Sequence, residues 1–242
     1  MVFADPSVEE AVRMRLGGGP IGPEQAAGVK VVDLYDPRRL WDLRCFPALE
    51  TILVRASASD PGPPIDVTGI GGLTGLELLS ISDLHITDTA PLGELEGLSK
   101  LFLWNVGNID TTFLVRLADL EELTLSKSTL SDLSPLGSLT KLTHLSLAEV
   151  GLDQIPPLSK VAPLRELDLN SNRIVDPSPI TALPFLGGVF LRRNAITDLT
   201  ALAASPATYW QLDLEENPID CNAQRHNLEI LRDKGATTDC WF

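Results

Sequence analysis

The chain is poor in aromatic residues, in side chains that carry chemistry, and in positive charge. It has 7 Phe, 4 Trp and 2 Tyr among 242 residues, with only 3 Cys, 3 His and 2 Met. Lys and Arg number 19 against 33 Asp and Glu, a formal charge of −14. Counterion release, which drives nucleic-acid binding, therefore has the wrong sign, and anionic membrane surfaces are disfavoured too. No stretch approaches the roughly 18 to 20 uncharged apolar residues of a membrane span. A soluble protein with no nucleic-acid partner and no membrane insertion is expected. Met1 is followed by Val2, Phe3 and Ala4 and then by charged residues, without the basic and apolar regions of an export signal. Either the chain is cytoplasmic, or its export segment lies outside this sequence. G-x-S-x-G, P-loop, H-E-x-x-H and dinucleotide fingerprints are also missing. Gly17, Gly18 and Gly19 follow a helical pattern instead of preceding one, so they cradle no phosphate. No enzyme activity and no cofactor are expected.

What is abundant is leucine, 42 residues of it, within a 44% hydrophobic composition that is ample for a core. The leucines repeat. Segments of 22 residues begin at Leu76, Leu98, Leu120, Leu142, Leu164 and Leu186, each with apolar residues at positions 1, 4, 6 and 17. Position 13 is Asp88, Asp110, Asp132, Gln154, Asp176 and Asp198, and position 16 is proline in four of the six (Pro91, Pro135, Pro157, Pro179). The clearest copy reads L-R-E-L-D-L-N-S-N-R-I over 164–174.

This pattern resembles the leucine-rich repeat family, in which L-x-x-L-x-L-x-x-N-x-L forms a short parallel strand and its turn. The 22-residue form with D-L-x-P-L after the turn is similar to internalins and phosphatase-regulatory repeat proteins, and the resemblance covers essentially the whole chain. It implies an α/β solenoid, a right-handed arc with a concave parallel sheet and a cap at each end, and it implies protein binding. A further coil starts at Tyr209, and two imperfect coils with strands about 32–34 and 52–54 precede Leu76, giving about nine strands. At roughly 4.8 Å per strand the sheet is on the order of 40 Å long. The expected layout is one domain over 1–242: an N-terminal helical cap over 1–28, repeats over 29–219 and a C-terminal cap over 220–242.

Alternation places positions 4 and 6 inward and positions 3, 5 and 7 on one outer face. Asn172, Asn194 and Asn217 at position 9 can bond neighbouring backbone groups. Coils with Leu84, Val106, Ser128 or Val150 there are expected to be more weakly tied. The Asp ladder at position 13 offers one carboxylate per turn, too few to hold calcium, and fits a side chain bonding the backbone at the start of a turn. His85, His144 and His226 fall too far apart to share a zinc ion. The extra residues in 56–75, including Asp60-Pro61-Gly62-Pro63-Pro64, predict a proline-rich surface bulge.

Both caps are visible. Asp5-Pro6, or a Ser7-x-x-Glu10 capping box, opens a helix carrying Val8, Ala11, Val12 and Leu16 and ended by Gly17. A second helix over 223–234 presents Leu228, Ile230 and Leu231. Cys221 and Cys240, 19 residues apart in this cap, are either two buried thiols or a disulfide tying the terminal helix. The cap resembles those of exported bacterial leucine-rich repeat proteins, which implies the disulfide and an exported location; a cytoplasmic location is the alternative. Cys45, at the opposite end, is expected to be a free thiol.

The concave face carries the candidate site. Tyr35, Leu53, Leu78, Phe102 and Trp104 are expected to be exposed on neighbouring strands as a contiguous apolar patch, the usual mark of an interaction surface. The C-terminal half is acidic, with Glu122, Glu166, Asp168, Asp213 and Glu215 offset in part by Arg192; His144 and Phe190 share the face. The expected partner is a protein with an apolar anchor site and a basic patch, bound by a monomer; glycan binding and self-association are the alternatives. The competing structural explanation is that the 56–66 loop or the N-terminal cap covers the apolar side chains, and that the acids serve solubility.

Overall fold

The computed structural model describes residues 3–19, 21–56, 62–158, 160–161 and 163–240. In chain order the elements are α1 Pro6–Leu16, α2 Pro23–Ala27, β1 Val31–Tyr35, β2 Thr51–Arg55, β3 Gly62–Ile65, β4 Leu78–Ser82, β5 Leu84–Ile86, β6 Lys100–Trp104, β7 Asn108–Ile109, β8 Glu122–Ser126, β9 Thr129–Leu130, β10 His144–Ser146, β11 Glu166–Asp168, β12 Gly188–Phe190, α3 Thr200–Ala204, β13 Gln211–Asp213, α4 Arg225–Asp233 and β14 Ala236–Thr237. Ten strands form one parallel sheet in the order β1-β2-β4-β6-β8-β10-β11-β12-β13-β14. The chain is an α/β solenoid. The tenth strand, β14, belongs to the C-terminal cap and exceeds the expected nine.

Sequence periodicity becomes register directly. Leu79, Leu101 and Leu123 are Cα partners on successive strands, as are Leu145, Leu167 and Val189. Strands β1, β2 and β6 alternate half-buried and buried positions, the inward side chains at 4 and 6 being almost fully enclosed. One coil cannot bury this face alone, so stacking supplies the core.

Eight strands of the main sheet, all but β2 and β14, end in the same way. Asp36, Asp83, Asn105, Lys127, Glu149, Ser171, Arg193 and Glu216 have φ between 52° and 59°. A left-handed residue that is not glycine costs about 1 kcal/mol. Here the turn also lets its N–H donate to the adjoining coil, as from Asp83 to the Trp104 carbonyl and from Lys127 to that of Ala148.

Position 9 follows at once. Asn194 Nδ2 donates to the Leu169 and Leu191 carbonyls, and its Oδ1 accepts from Ile174 N–H. Asn172 and Asn217 repeat the pattern. The expectation of weaker ties where asparagine is missing does not hold. Leu84 begins β5, which pairs with β3; β7 pairs with β9; Ser128 Oγ accepts from Val106 N–H; and Val150 N–H donates to Asn172 of the next coil. Backbone ladders on the outer side replace the amide ladder. That pairing also corrects the expected 56–75 bulge: Gly62–Ile65 is a strand, while Asp60 and Pro61 lie outside the described residues.

The Asp ladder is structural. Asp88, Asp110, Asp132, Asp176 and Asp198 each accept from the N–H two residues on, opening the outer turn.

At the N-terminal end Asp5 is the helix cap, accepting from Ser7 N–H, with Pro6 in the first turn and Gly17 closing the helix at φ 75°. Its other oxygen accepts from Arg38 and Arg39 N–H, and Asp42 accepts from Ala4 and Asp5 N–H. These two carboxylates pin α1 across the first coil, with Val8 and Val12 buried beneath it. At the other end α4 starts two residues later than expected, because Asp220 takes the N–H groups of Asn222 and Ala223 in a preceding turn. Cys221 and Cys240 form a disulfide with Cα atoms 5.5 Å apart, and Cys45 is free and exposed.

Candidate functional site

Positions 3, 5 and 7 form three rows across the concave sheet, each step being one strand spacing of roughly 4.8 Å. Along the middle row Leu53 faces Ser80, which faces Phe102. In the outer row Tyr35 faces Arg55, then come Ser82 and Trp104. Serine or arginine thus interrupts both rows, and the apolar side chains are not on immediately neighbouring positions. They connect diagonally: Leu78 on β4 lies between Leu53 on β2 and Phe102 on β6, and Trp104 continues the line along β6.

Exposure is also uneven. Tyr35 and Trp104 are 53% and 38% exposed, whereas Leu53, Leu78 and Phe102 are half-buried. The expectation that all five stand free is corrected, since side chains on a concave sheet crowd against those of adjacent strands. Tyr35 is moreover engaged within the chain: the Arg55 guanidinium lies 5.4 Å from its ring centroid and pairs with Asp33 at 2.8 Å. The described part of the 56–66 segment pairs through β3 with β5 on the outer side, so it does not lie over the patch.

The acidic half is partly self-neutralised. Glu122 pairs with Lys100 at 2.7 Å and raises the lysine pKa. Glu215 and Glu216 hold Arg192, whose pKa is raised chiefly by the hydrogen bond to Glu216; Arg193 pairs with Glu216 as well. Asp168 accepts from Ser146 Oγ and Asn170 N–H, each at 3.0 Å, and Asp213 accepts from Glu215 N–H. Glu166 and Asp168 form no ion pair with lysine or arginine among the described residues. His144, exposed on β10 between Glu122 and Glu166, has Nδ1 2.8 Å from Thr143 Oγ1.

Phe190 is half-buried on β12, flanked by Asp168 and Asp213. Beside it lies a residue that the sequence analysis passed over. Trp210, at position 2 of its coil, is 63% exposed and lies across Gly187 and Gly188. Two consecutive glycines one coil before a tryptophan in the same row were the available signal; position 2 was left off the concave face.

Cavities lie at the C-terminal cap, between α1 and Asp33 and Tyr35, at the strand-end turns around His85 and Asn105, and on the outer side around Thr89 and Asn108; neither Phe102 nor Trp104 lines any of these. Among the described residues no cluster of His, Cys, Asp or Glu could hold a metal ion, and no helix is long and apolar enough to cross a membrane.

This geometry has solved counterparts. Internalin C2 of Listeria monocytogenes superposes with a TM-score of 0.74 at 24% identity, covering 84% of this chain and 90% of its own. The chain has the internalin fold. A second Listeria monocytogenes internalin, InlF, gives 0.59 at 19% identity over 98% of this chain and 88% of its own. The functional domain of InlJ from the same organism, which includes a cysteine ladder, gives 0.60 at 18% identity over 90% of this chain and about half (51%) of its own. No protein-family model and no curated protein sequence matches the chain.

Proposed function

We propose that this chain is a non-enzymatic protein-binding module that presents its concave sheet to a partner. The observation that carries this is the diagonal of Leu53, Leu78, Phe102 and Trp104, apolar side chains left half-open on a sheet whose other side is packed solid. An uncovered apolar stretch of this kind on a leucine-rich repeat solenoid is the usual signature of an interaction surface. Aromatic anchors dominate interface energies, and Trp104 in a partner pocket would contribute about 2 kcal/mol. Tyr35 flanks the anchor, while Glu122, His144, Glu166, Asp168, Phe190, Asp213 and Glu215 extend the contact and steer a basic partner by charge. The binding unit is the single domain 1–242, with caps over 1–28 and 220–242 enclosing 22-residue repeats of the internalin-like class.

Export is part of the same proposal. A disulfide in the C-terminal cap fits an oxidising compartment, outside the cytoplasm. Thiol titration of the unfolded, unreduced protein should count one free thiol, Cys45; three would contradict the disulfide and the location with it.

The binding reading is tested by affinity capture from surface and medium fractions of the source organism and its natural neighbours. Wild type is compared with a Phe102→Ala, Trp104→Ala double variant of unchanged melting temperature. A protein retained by wild type alone supports the reading. Equal retention by both, concentration-dependent self-association, or glycan-array binding without protein capture would replace it.

A further inference from the structure

We infer that the C-terminal third of the concave face seats a cationic segment of the partner, with an arginine or lysine side chain lying against Trp210. This rests on the chain being a protein-binding module, and it names the chemistry of what is bound.

Trp210 is among the most exposed large apolar side chains, yet its position is fixed by its neighbours. A Cβ on Gly188 would stand 2.3 Å from its Cζ2 and 2.7 Å from its Cη2, and a Cβ on Gly187 would stand 2.5 Å from its Cδ1. The indole therefore runs along both glycines, on bare backbone. Neither glycine has a positive φ, so turn geometry does not require them; what is used is the missing side chain. In the same row the other coils place Glu50, Glu77, Ser99, Glu121, Thr143 and Arg165, so an exposed aromatic here is a departure from the repeat. Phe190 springs from the same strand as Gly188 two residues on, on the same face and roughly 7 Å away. The result is a platform of two aromatic rings at the mouth of the sheet.

The charge around the platform selects its occupant. Glu166 is the partner of Gly188 on one side, while Asp168 and Asp213 flank Phe190 on both. Arg192, the cation of that strand, is drawn away to Glu215 and Glu216. Among the described residues the cation–π contacts are Arg44 on Trp41 and Arg55 on Tyr35, and Arg165, one strand along from Gly187, makes none with Trp210. An electron-rich ring face bordered by carboxylates is complementary to a cation, attracted by the ring quadrupole and the surrounding charge together.

The test uses the full chain and a fluorescein-labelled peptide with four arginines spaced by glycine, beside its citrulline counterpart, read by fluorescence anisotropy at near-physiological salt. The arginine peptide should bind and the citrulline peptide should not. Trp210→Ala should weaken binding about tenfold. Gly188→Ala, which keeps every charge but displaces the ring, should weaken it comparably. Glu166→Gln with Asp168→Asn should weaken it as well, whereas Glu10→Gln with Glu24→Gln in the N-terminal cap should leave it within about twofold. Equal losses from the remote and local charge pairs, or no loss from Trp210→Ala, would reduce the effect to the net charge and overturn the site. A neutral chitin oligomer displacing the peptide would overturn it in favour of a glycan. Partner capture that survives Trp210→Ala but not Phe102→Ala, Trp104→Ala would remove this site and leave the module; peptide binding without partner capture would do the reverse.

Discussion

At the scale of single residues, the fold is held by polar side chains with one fixed backbone task each. Asn194 is buried and satisfies two carbonyls and one N–H that no strand ladder reaches. Asn194→Ala strands the Ile174 N–H, while the Leu169 and Leu191 carbonyls keep Asn172 and Asn217 as donors, so it should lower stability by about 2 kcal/mol. Ser128→Ala, which loses two bonds in a coil already tied by strand pairing, should cost roughly half as much. Urea unfolding of the two variants tests this, and equal losses would contradict the division of labour. The turn-opening aspartates give the protein an acid limit. Hydroxyl and backbone hydrogen bonds from Ser134 hold Asp132 below its ordinary value of 3.8, those from Thr200 do the same for Asp198, and the Thr112 N–H leads for Asp110. A pKa depressed on folding means the unfolded chain binds protons first, so this stability is complete well above pH 3.8 and drains as pH falls through the lower folded values. The triple variant Asp110→Asn, Asp132→Asn, Asp198→Asn should therefore show a smaller drop in urea midpoint between neutral and strongly acid pH than wild type; an identical drop would contradict it.

Elements differ in how they are secured. Repeats depend on both neighbours, whereas each end has one, so caps fray first unless fastened. Asp5 and Asp42 fasten α1 by hydrogen bonds; Cys221–Cys240 fastens α4 and β14 covalently. A loop of this length limits the unfolded cap by about 3 kcal/mol. Replacing both cysteines by serine should speed amide exchange in 209–240 and leave the strands from β4 to β8 unchanged, a contrast that exchange mass spectrometry reads directly. Uniform acceleration would mean that the cap governs the whole solenoid. These elements also show where sequence was legible. Strands β4, β6, β8 and β10 to β13 followed from the leucine period, because an inward side chain every second residue leaves no alternative register. The outer strands β5, β7 and β9 were not legible, since their pairing depends on backbone groups freed by the lack of asparagine in several coils at once. β3 was hidden by its prolines, and α2 by its five-residue length.

The whole molecule combines a closed core with an open face, and that face was only partly readable. Facing directions came from alternation, and exposure did not: Leu53, Leu78 and Phe102 are half-covered by crowding between strands, Tyr35 is occupied by Arg55, and Glu122 and Glu215 are spent on Lys100 and Arg192. Such pairings join residues about 20 positions apart and arise from the stacking of coils. Trp210 shows the converse, a site made by what the preceding coil leaves out at Gly187 and Gly188. If the concave sheet is the working surface, blocking it should matter and blocking the outer side should not. The most direct measurement places one bulky group on each in turn. In a Cys45→Ser background, Ser80→Cys lies between Leu53 and Phe102, and Val115→Cys stands exposed on an outer turn. Each is conjugated to a polyethylene glycol maleimide and used to capture the partner. Loss of capture with the Ser80→Cys adduct and full capture with the Val115→Cys adduct is the predicted result; capture retained by the Ser80→Cys adduct would contradict it.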